Sequence, residues 1–118
     1  MSSELYPTND FERYHAHIYF DEGTQSQARM LCMEAWQSCH VGLGRFHERP
    51  VGPHPDWSCQ LSFDADEFER LIPWLDSNRD GLNILVHPLT GDALAEHTTH
   101  ARWLGNPREL NTEIFEPK

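Results

Sequence analysis

The sequence lacks an excess of positive charge. Its 118 residues carry 19 acidic and only 9 basic side chains, for a formal net charge of -10 at pH 7. Such a surface repels phosphate backbones and anionic lipid headgroups. No apolar run approaches the ~20 residues that span a bilayer, and the first ten residues contain no apolar leader segment. We therefore expect neither nucleic acid nor a membrane as a partner, and no secretory signal.

Cysteine is also scarce. The three cysteines, Cys32, Cys39 and Cys59, form no CxxC pair. Cys32 and Cys39 fall on one predicted helix, roughly 10 Å apart along its axis, which is too far for a disulfide. We therefore expect a reducing, cytoplasmic location.

Glycine-rich catalytic motifs are missing as well. The sequence has no G-x-S-x-G, no P-loop and no G-x-G-x-x-G, so nothing indicates a serine hydrolase or a nucleotide-binding enzyme. Hydrophobic residues make up 38% and charged residues 24%, which is typical of a globular chain. At this length we expect a single α+β domain over residues 1–118.

The spacing of apolar and turn residues predicts the order βαββαβ followed by a C-terminal helix. Thr24 with Gln27, and Asp64 with Glu67, have the spacing of a capping box at the start of a helix. Asp92 is the predicted N-cap of the last helix. The predicted strands cover 14–20, 41–48, 57–63 and 82–87. This order is ferredoxin-like: a four-stranded antiparallel sheet in the order 4-1-3-2, with two helices on one face.

Histidine is abundant, with eight in the chain, and strand alternation gathers several on the open face of this sheet. Ala16, Ile18 and Phe20 suit the helix side of the first strand, which leaves His15, His17 and Tyr19 on the other face. The same reasoning puts Leu85 and His87 of the fourth strand beside them. Leu43, Arg45 and His47 share one face of the second strand, and we expect this to be the open face too.

Three histidines on neighbouring strands are a plausible ligand set, because imidazole binds Fe, Zn, Ni and Cu. His54 lies between Pro53 and Pro55, on a loop stiff enough to place a ligand or a proton donor. The alternative is that each histidine is an ordinary surface or hydrogen-bonded residue. His40 and His100 have that character, whereas His97 belongs to the core or to the edge of the site.

Three stretches together resemble the small DOPA 4,5-dioxygenase family: YHAHIYF at 14–20, GRFHERPVGPHP at 44–55 and LVHPLTG at 85–91. The resemblance extends from about residue 14 to 110. It implies a ferredoxin-like fold, often dimeric, and an oxidoreductase that cleaves a catechol with molecular oxygen and a non-haem iron(II) in the extradiol manner. The apolar Leu43, Leu85 and Tyr19 on the open face also favour a homodimer that covers them.

Carried to single residues, the resemblance implies metal ligands at His17, His54 and His87, with Fe(II) as the metal and Zn or Ni possible in purified protein. His15 and His54 become the acid–base candidates. Arg45, His47 and His97 become substrate-binding candidates. A carboxylate ligand could come from Glu48, Asp56 or Glu96, and an all-histidine site is the alternative. Two other functions stay open: a non-catalytic metal- or ligand-binding domain, and a cofactor-free oxygenase of the dimeric α+β barrel type.

Overall fold

All five strands of the protein join one antiparallel sheet in the computed structural model, which describes residues 5–115. The spatial order is β2-β3-β1-β4-β5. The elements are β1 (Arg13–Phe20), α1 (Gln25–Cys39), β2 (Gly42–His47), β3 (Trp57–Asp64), α2 (Ala65–Asn78), β4 (Ile84–Pro88), α3 (Ala93–Glu96), β5 (Arg102–Leu104) and a 3-10 turn (Thr112–Phe115). The predicted order of the first four strands is confirmed.

The prediction of four strands and a long C-terminal helix is wrong. The helix that Asp92 caps ends at Glu96, and Arg102–Leu104 then pairs with β4 as a fifth strand. Trp103 lies opposite Leu85 and Leu104 lies opposite Ile84, so the two side chains are buried on opposite faces of the sheet. Pairing with the otherwise free edge of β4 outweighs the helical spacing of apolar residues in this segment.

The two long helices begin in different ways. At α2 the capping box is present: the Asp64 side chain accepts hydrogen bonds from the backbone of Asp66 and Glu67, and the Glu67 side chain accepts one from the Asp64 backbone. Thr24 precedes α1 but makes no side-chain cap bond. Its hydroxyl accepts instead a hydrogen bond from the Asp21 backbone, so the capping box predicted at Thr24 and Gln27 is wrong. None of the helices in residues 5–115 is long and apolar enough to cross a bilayer.

The main core lies between the sheet and the two long helices. Ala16, Ile18 and Phe20 of β1 are buried there, as predicted. The same interface holds a disulfide between Cys32 of α1 and Cys59 of β3, while Cys39 is free and buried. This bond differs from the expectation of reduced cysteines. The sequence alone does not reveal it, because only the packing of α1 on β3 brings the two sulfurs together. A cytoplasmic location stays a prediction.

A bulge in β2 changes which of its side chains share a face. The register shifts between Leu43 and Phe46, so both lie against residues of the helix-side core. His47 then lies opposite Ser58, on the other face. The prediction that Leu43 and His47 share the open face is therefore wrong for Leu43, because the extra residue reverses the alternation.

The second face of the sheet is covered by the chain itself. Tyr19, Leu85, Ala101 and Trp103 form a separate buried cluster, with Leu110 packed against it. Tyr19 is 3% exposed and Leu85 is fully buried. The argument that these side chains need a second subunit to cover them is therefore wrong, and the homodimer stays a prediction from the resemblance.

Candidate metal centre

Three histidines meet on the second face of the sheet. His15 and His17 project from β1, and His15 lies directly opposite His87 of the neighbouring β4. One ring nitrogen from each of the three can be chosen so that all lie within 4.8 Å of one another. The Nε2 atoms of His17 and His87 are 3.1 Å apart. The prediction that His87 lies beside the His15/His17 pair is confirmed, and these residues could hold one metal ion.

Two further histidines border this group. The centroid of the His54 ring, on the loop between β2 and β3, lies 4.1 Å from the centroid of the His17 ring. The Nδ1 atom of His54 is 2.7 Å from the Tyr19 hydroxyl oxygen. The centroid of the His97 ring, just after α3, lies 4.4 Å from the centroid of the His87 ring, and the His97 ring stacks on Phe115. Both residues thus lie beside the site, and of the two alternatives for His97, the core or the edge of the site, the half-buried ring fits the edge.

The remaining predicted site residues differ in position. His47 follows the bulge and lies opposite Ser58, on the face of the sheet that carries the other histidines. Arg45 is exposed in the bulged part of β2, and no hydrogen bond or ion pair in the described part of the chain ties its side chain to the histidines. His40 is exposed at the end of α1, as expected for a solvated residue.

Burial controls the charge of the central rings. Loss of water, reinforced by the charges of neighbouring histidines, lowers the pKa of His17 well below its usual range. Burial likewise lowers the pKa of His54 and of His87 to about 4. It also lowers the pKa of the half-buried His15. These imidazoles are therefore neutral at pH 7, which is the state in which histidine binds a metal.

Backbone carbonyls fix the tautomers of two rings. The Nδ1 atom of His87 lies 2.9 Å from the Pro88 carbonyl oxygen, and that of His97 lies 2.7 Å from the Ala93 carbonyl oxygen. A carbonyl only accepts, so Nδ1 carries the proton in both rings. The Nε2 lone pair of His87 then faces His17, where a proton or a cation between the two rings can satisfy it.

The three candidate carboxylates differ in burial and in the residues that they contact. Glu96 is buried, and its Oε1 lies 3.9 Å from the Nδ1 of His87. Glu48 is exposed and pairs with Arg29 on α1. Asp56 forms an ion pair with Arg108 through both carboxylate oxygens. No carboxylate of the described residues belongs to the group of three ring nitrogens, so the geometry favours an all-histidine set.

Sequence reasoning missed the roles of Tyr19 and Phe115. The sequence predicts Tyr19 only as a side chain on the open face that a second subunit would cover, yet its hydroxyl oxygen lies 2.7 Å from Nδ1 of His54. It continues the alternation of His15 and His17, which is a signal that the sequence does contain. Phe115 stacks on His97 from the far end of the chain, and nothing in the local sequence indicates that contact.

Known proteins resemble this chain over most of its length. The profile of the Dopa 4,5-dioxygenase family matches residues 14–114. A DOPA 4,5-dioxygenase of Amanita muscaria is 31% identical over 112 residues, which cover 87% of this chain and 49% of that protein. An uncharacterised 21.2 kDa protein of Botryotinia fuckeliana is 32% identical over 114 residues, covering 86% of this chain and 62% of that protein. The chain thus spans about half to two thirds of the length of these relatives.

A solved structure shares both fold and sequence. A candidate dioxygenase of Nostoc punctiforme superimposes with a TM-score of 0.86 at 40% identity, over 92% of this chain and 94% of that one. The agreement over nearly the full length of both chains extends the likeness from the sequence to the sheet that carries the histidines.

Proposed function

Because the chain belongs to the Dopa 4,5-dioxygenase family, we propose that it is an extradiol dioxygenase that opens the ring of a catechol with molecular oxygen and a non-haem iron(II). The observation that carries the proposal is the set of three converging imidazoles, His15, His17 and His87. Neutral imidazole is a good ligand for iron(II), and a three-ligand set leaves positions free for a substrate. The proposed catechol is DOPA-like, as the name of the Amanita muscaria relative suggests.

His17 and His87 are the proposed central ligands, since their Nε2 atoms face one another. His15 completes the set by distance, whereas the resemblance implies His54 as the third ligand. The bond to Tyr19 engages one nitrogen of His54, which supports an acid–base role for this residue instead. A bound iron(II) supplies the electronic coupling between the catechol and oxygen.

His54 is the proposed acid–base residue. Burial keeps it neutral at pH 7, so it is able to accept a proton from a catechol hydroxyl. Burial also raises the pKa of Tyr19, which therefore stays protonated and retains its hydrogen bond with Nδ1 of His54. In this bond Nδ1 of His54 carries the hydrogen and donates it to the phenol oxygen, which leaves the Nε2 lone pair of His54 free to accept the catechol proton.

The segment after β5 limits the access of water to the histidines. Arg108 donates to both carboxylate oxygens of Asp56, at 2.7 and 3.1 Å, and the Asn111 backbone donates to the Pro53 carbonyl. These bonds tie the segment to the loop that carries His54. Leu110 packs against the buried cluster that includes Tyr19, and Phe115 stacks on His97. A partly dry site strengthens the electrostatic interactions inside it and protects reactive species from water.

The test is anaerobic loading with iron(II), followed by oxygen uptake with a panel of catechols that includes L-DOPA. We expect uptake of one oxygen molecule per ring opened and a yellow ring-opened product, both abolished by a chelator. His40→Ala is the matched control, because His40 is exposed at the end of α1. Metal-loaded protein that consumes no oxygen with any catechol would refute the activity. Turnover that survives complete chelation would instead favour a cofactor-free oxygenase.

A further inference from the structure

Glu96 is a buried carboxylate directly behind one of the proposed ligands. It closes α3, is 8% exposed, and its Oε1 lies 3.9 Å from the Nδ1 of His87. Burying a carboxylate is costly unless its oxygens are hydrogen-bonded. The buried position of Glu96 therefore depends on hydrogen bonds to its oxygens, and its negative charge lies close to the His87 ring.

Hydrogen bonds from the turn after β4 satisfy one of the two carboxylate oxygens. Oε2 accepts hydrogen bonds from the backbone of Thr90 at 2.7 Å and of Gly91 at 3.0 Å, and the Thr90 hydroxyl lies 3.3 Å away. These bonds hold the turn after β4, where Gly91 has a φ of 89°. They leave Oε1 as the oxygen that faces His87.

The side of the ring that Glu96 faces determines what it could do. It lies near Nδ1, whereas the nitrogen that faces His17 is Nε2, across the ring. The Nδ1 proton is donated to the Pro88 carbonyl, so Glu96 acts on His87 through its charge and through the turn that it anchors. Glu96 also lies outside the group of converging ring nitrogens, so its place is behind a proposed ligand and not among the ligands.

We propose that Glu96 is a positioning residue for the metal site: its fixed negative charge behind His87 raises the affinity of that ring for a cation at Nε2. The inference rests on the proposed metal site, though not on the reaction carried out there. Outer carboxylates behind ligating histidines make the ring a stronger donor and hold its orientation, and their loss typically weakens metal binding about 10–100-fold.

The test compares Glu96→Gln with Glu34→Gln, an exposed position on α1 where the same unit of charge is removed. Dissociation constants for Co(II) and Zn(II) are measured by chelator competition on the full chain, together with the melting temperature of the metal-free protein. The glutamine oxygen can still accept from Thr90 and Gly91. We therefore expect about 10–100-fold weaker binding for Glu96→Gln, a nearly unchanged melting temperature, and wild-type affinity for Glu34→Gln.

Thr90→Val separates charge from scaffold, because it removes the hydroxyl beside Oε2 and leaves the carboxylate. Wild-type affinity in this variant supports the proposal. Equal losses of affinity in Thr90→Val and Glu96→Gln, or no loss in Glu96→Gln, would overturn it. A wild-type protein that binds neither ion would overturn both this inference and the metal site. Protein that binds metal but cleaves no catechol would refute only the proposed reaction.

Discussion

At the scale of single residues, the histidines divide by what their ring nitrogens contact. His17 and His87 face each other through Nε2, and each is almost completely buried, at 6% and 3% exposed. His54 is buried too, but the Tyr19 hydroxyl already engages its Nδ1. Residues of one type, gathered in one site, therefore have different chemistry available to them.

The first prediction follows from this division. His17→Ala and His87→Ala should each lose most of the bound metal, with a loss of affinity beyond the ~100-fold that an outer residue causes. His54→Ala should keep the metal and slow turnover by roughly 10²–10⁴-fold, as for a lost acid–base group. Elemental analysis and oxygen uptake on the same preparations decide the question, with His40→Ala as control. Full metal content in both His17→Ala and His87→Ala would exclude the proposed ligands.

The second prediction concerns Tyr19. Tyr19→Phe should leave metal content unchanged but lower kcat more than it raises KM, since the variant removes only the group that holds His54. An unpartnered buried imidazole nitrogen should also cost about 1–3 kcal/mol in the free energy of unfolding. Steady-state kinetics and urea unfolding measure the two effects. Wild-type kcat in this variant would mean that the hydroxyl has no part in placing His54.

At the scale of elements, the difference between the two helix starts has an energetic consequence. Of the two long helices, α2 alone has side-chain capping bonds at its first turn, from Asp64 and Glu67. The third prediction is that Asp64→Ala lowers the free energy of unfolding by about 1 kcal/mol, with no effect on metal affinity. Asp66→Ala, in the same turn but without a side-chain cap bond, should cost only a few tenths. Equal losses in the two variants of a urea titration would contradict the capping role.

The segment from Leu94 to Leu104 shows why element type is hard to predict there. Leu94, His97, Ala101 and Leu104 have helical spacing, which favoured a continuous helix. The chain instead turns after Glu96, and Trp103 and Leu104 are buried by pairing with β4. The gain from burying both side chains and covering a sheet edge comes from residues far away in the sequence, so no local pattern contains it.

At the scale of the whole molecule, the buried histidines link stability to pH. Burial lowers the pKa of His54 and His87 to about 4, whereas a histidine in the unfolded chain titrates near 6.5. Below pH 6.5 the unfolded chain therefore takes up protons that the folded protein does not. The stability of the metal-free protein is fully present above about pH 6.5 and falls as the pH is lowered toward 4.

The fourth prediction is that urea midpoints of metal-free protein decrease steadily from pH 7.5 through 6.0 to 5.0. His17→Ala should make the decrease shallower, because burial also lowers the pKa of His17 and the variant removes that group. Metal affinity should fall over the same range, since protons compete for the imidazoles. A midpoint that rises between pH 7.5 and 5.0, or an unchanged slope in His17→Ala, would contradict this account.

The sequence by itself determined the order of the first four strands and the two long helices, and it placed His15, His17 and His87 on one face. These features follow from the period of two in strands and from a topology that puts β1 beside β4. Only the tertiary structure decided the bulge that turns Leu43 away from His47, the fifth strand, the bond between Cys32 and Cys59, and the approach of His54 to Tyr19. Each of these depends on packing between residues that are far apart in the sequence, and such contacts leave no periodic trace in the local sequence.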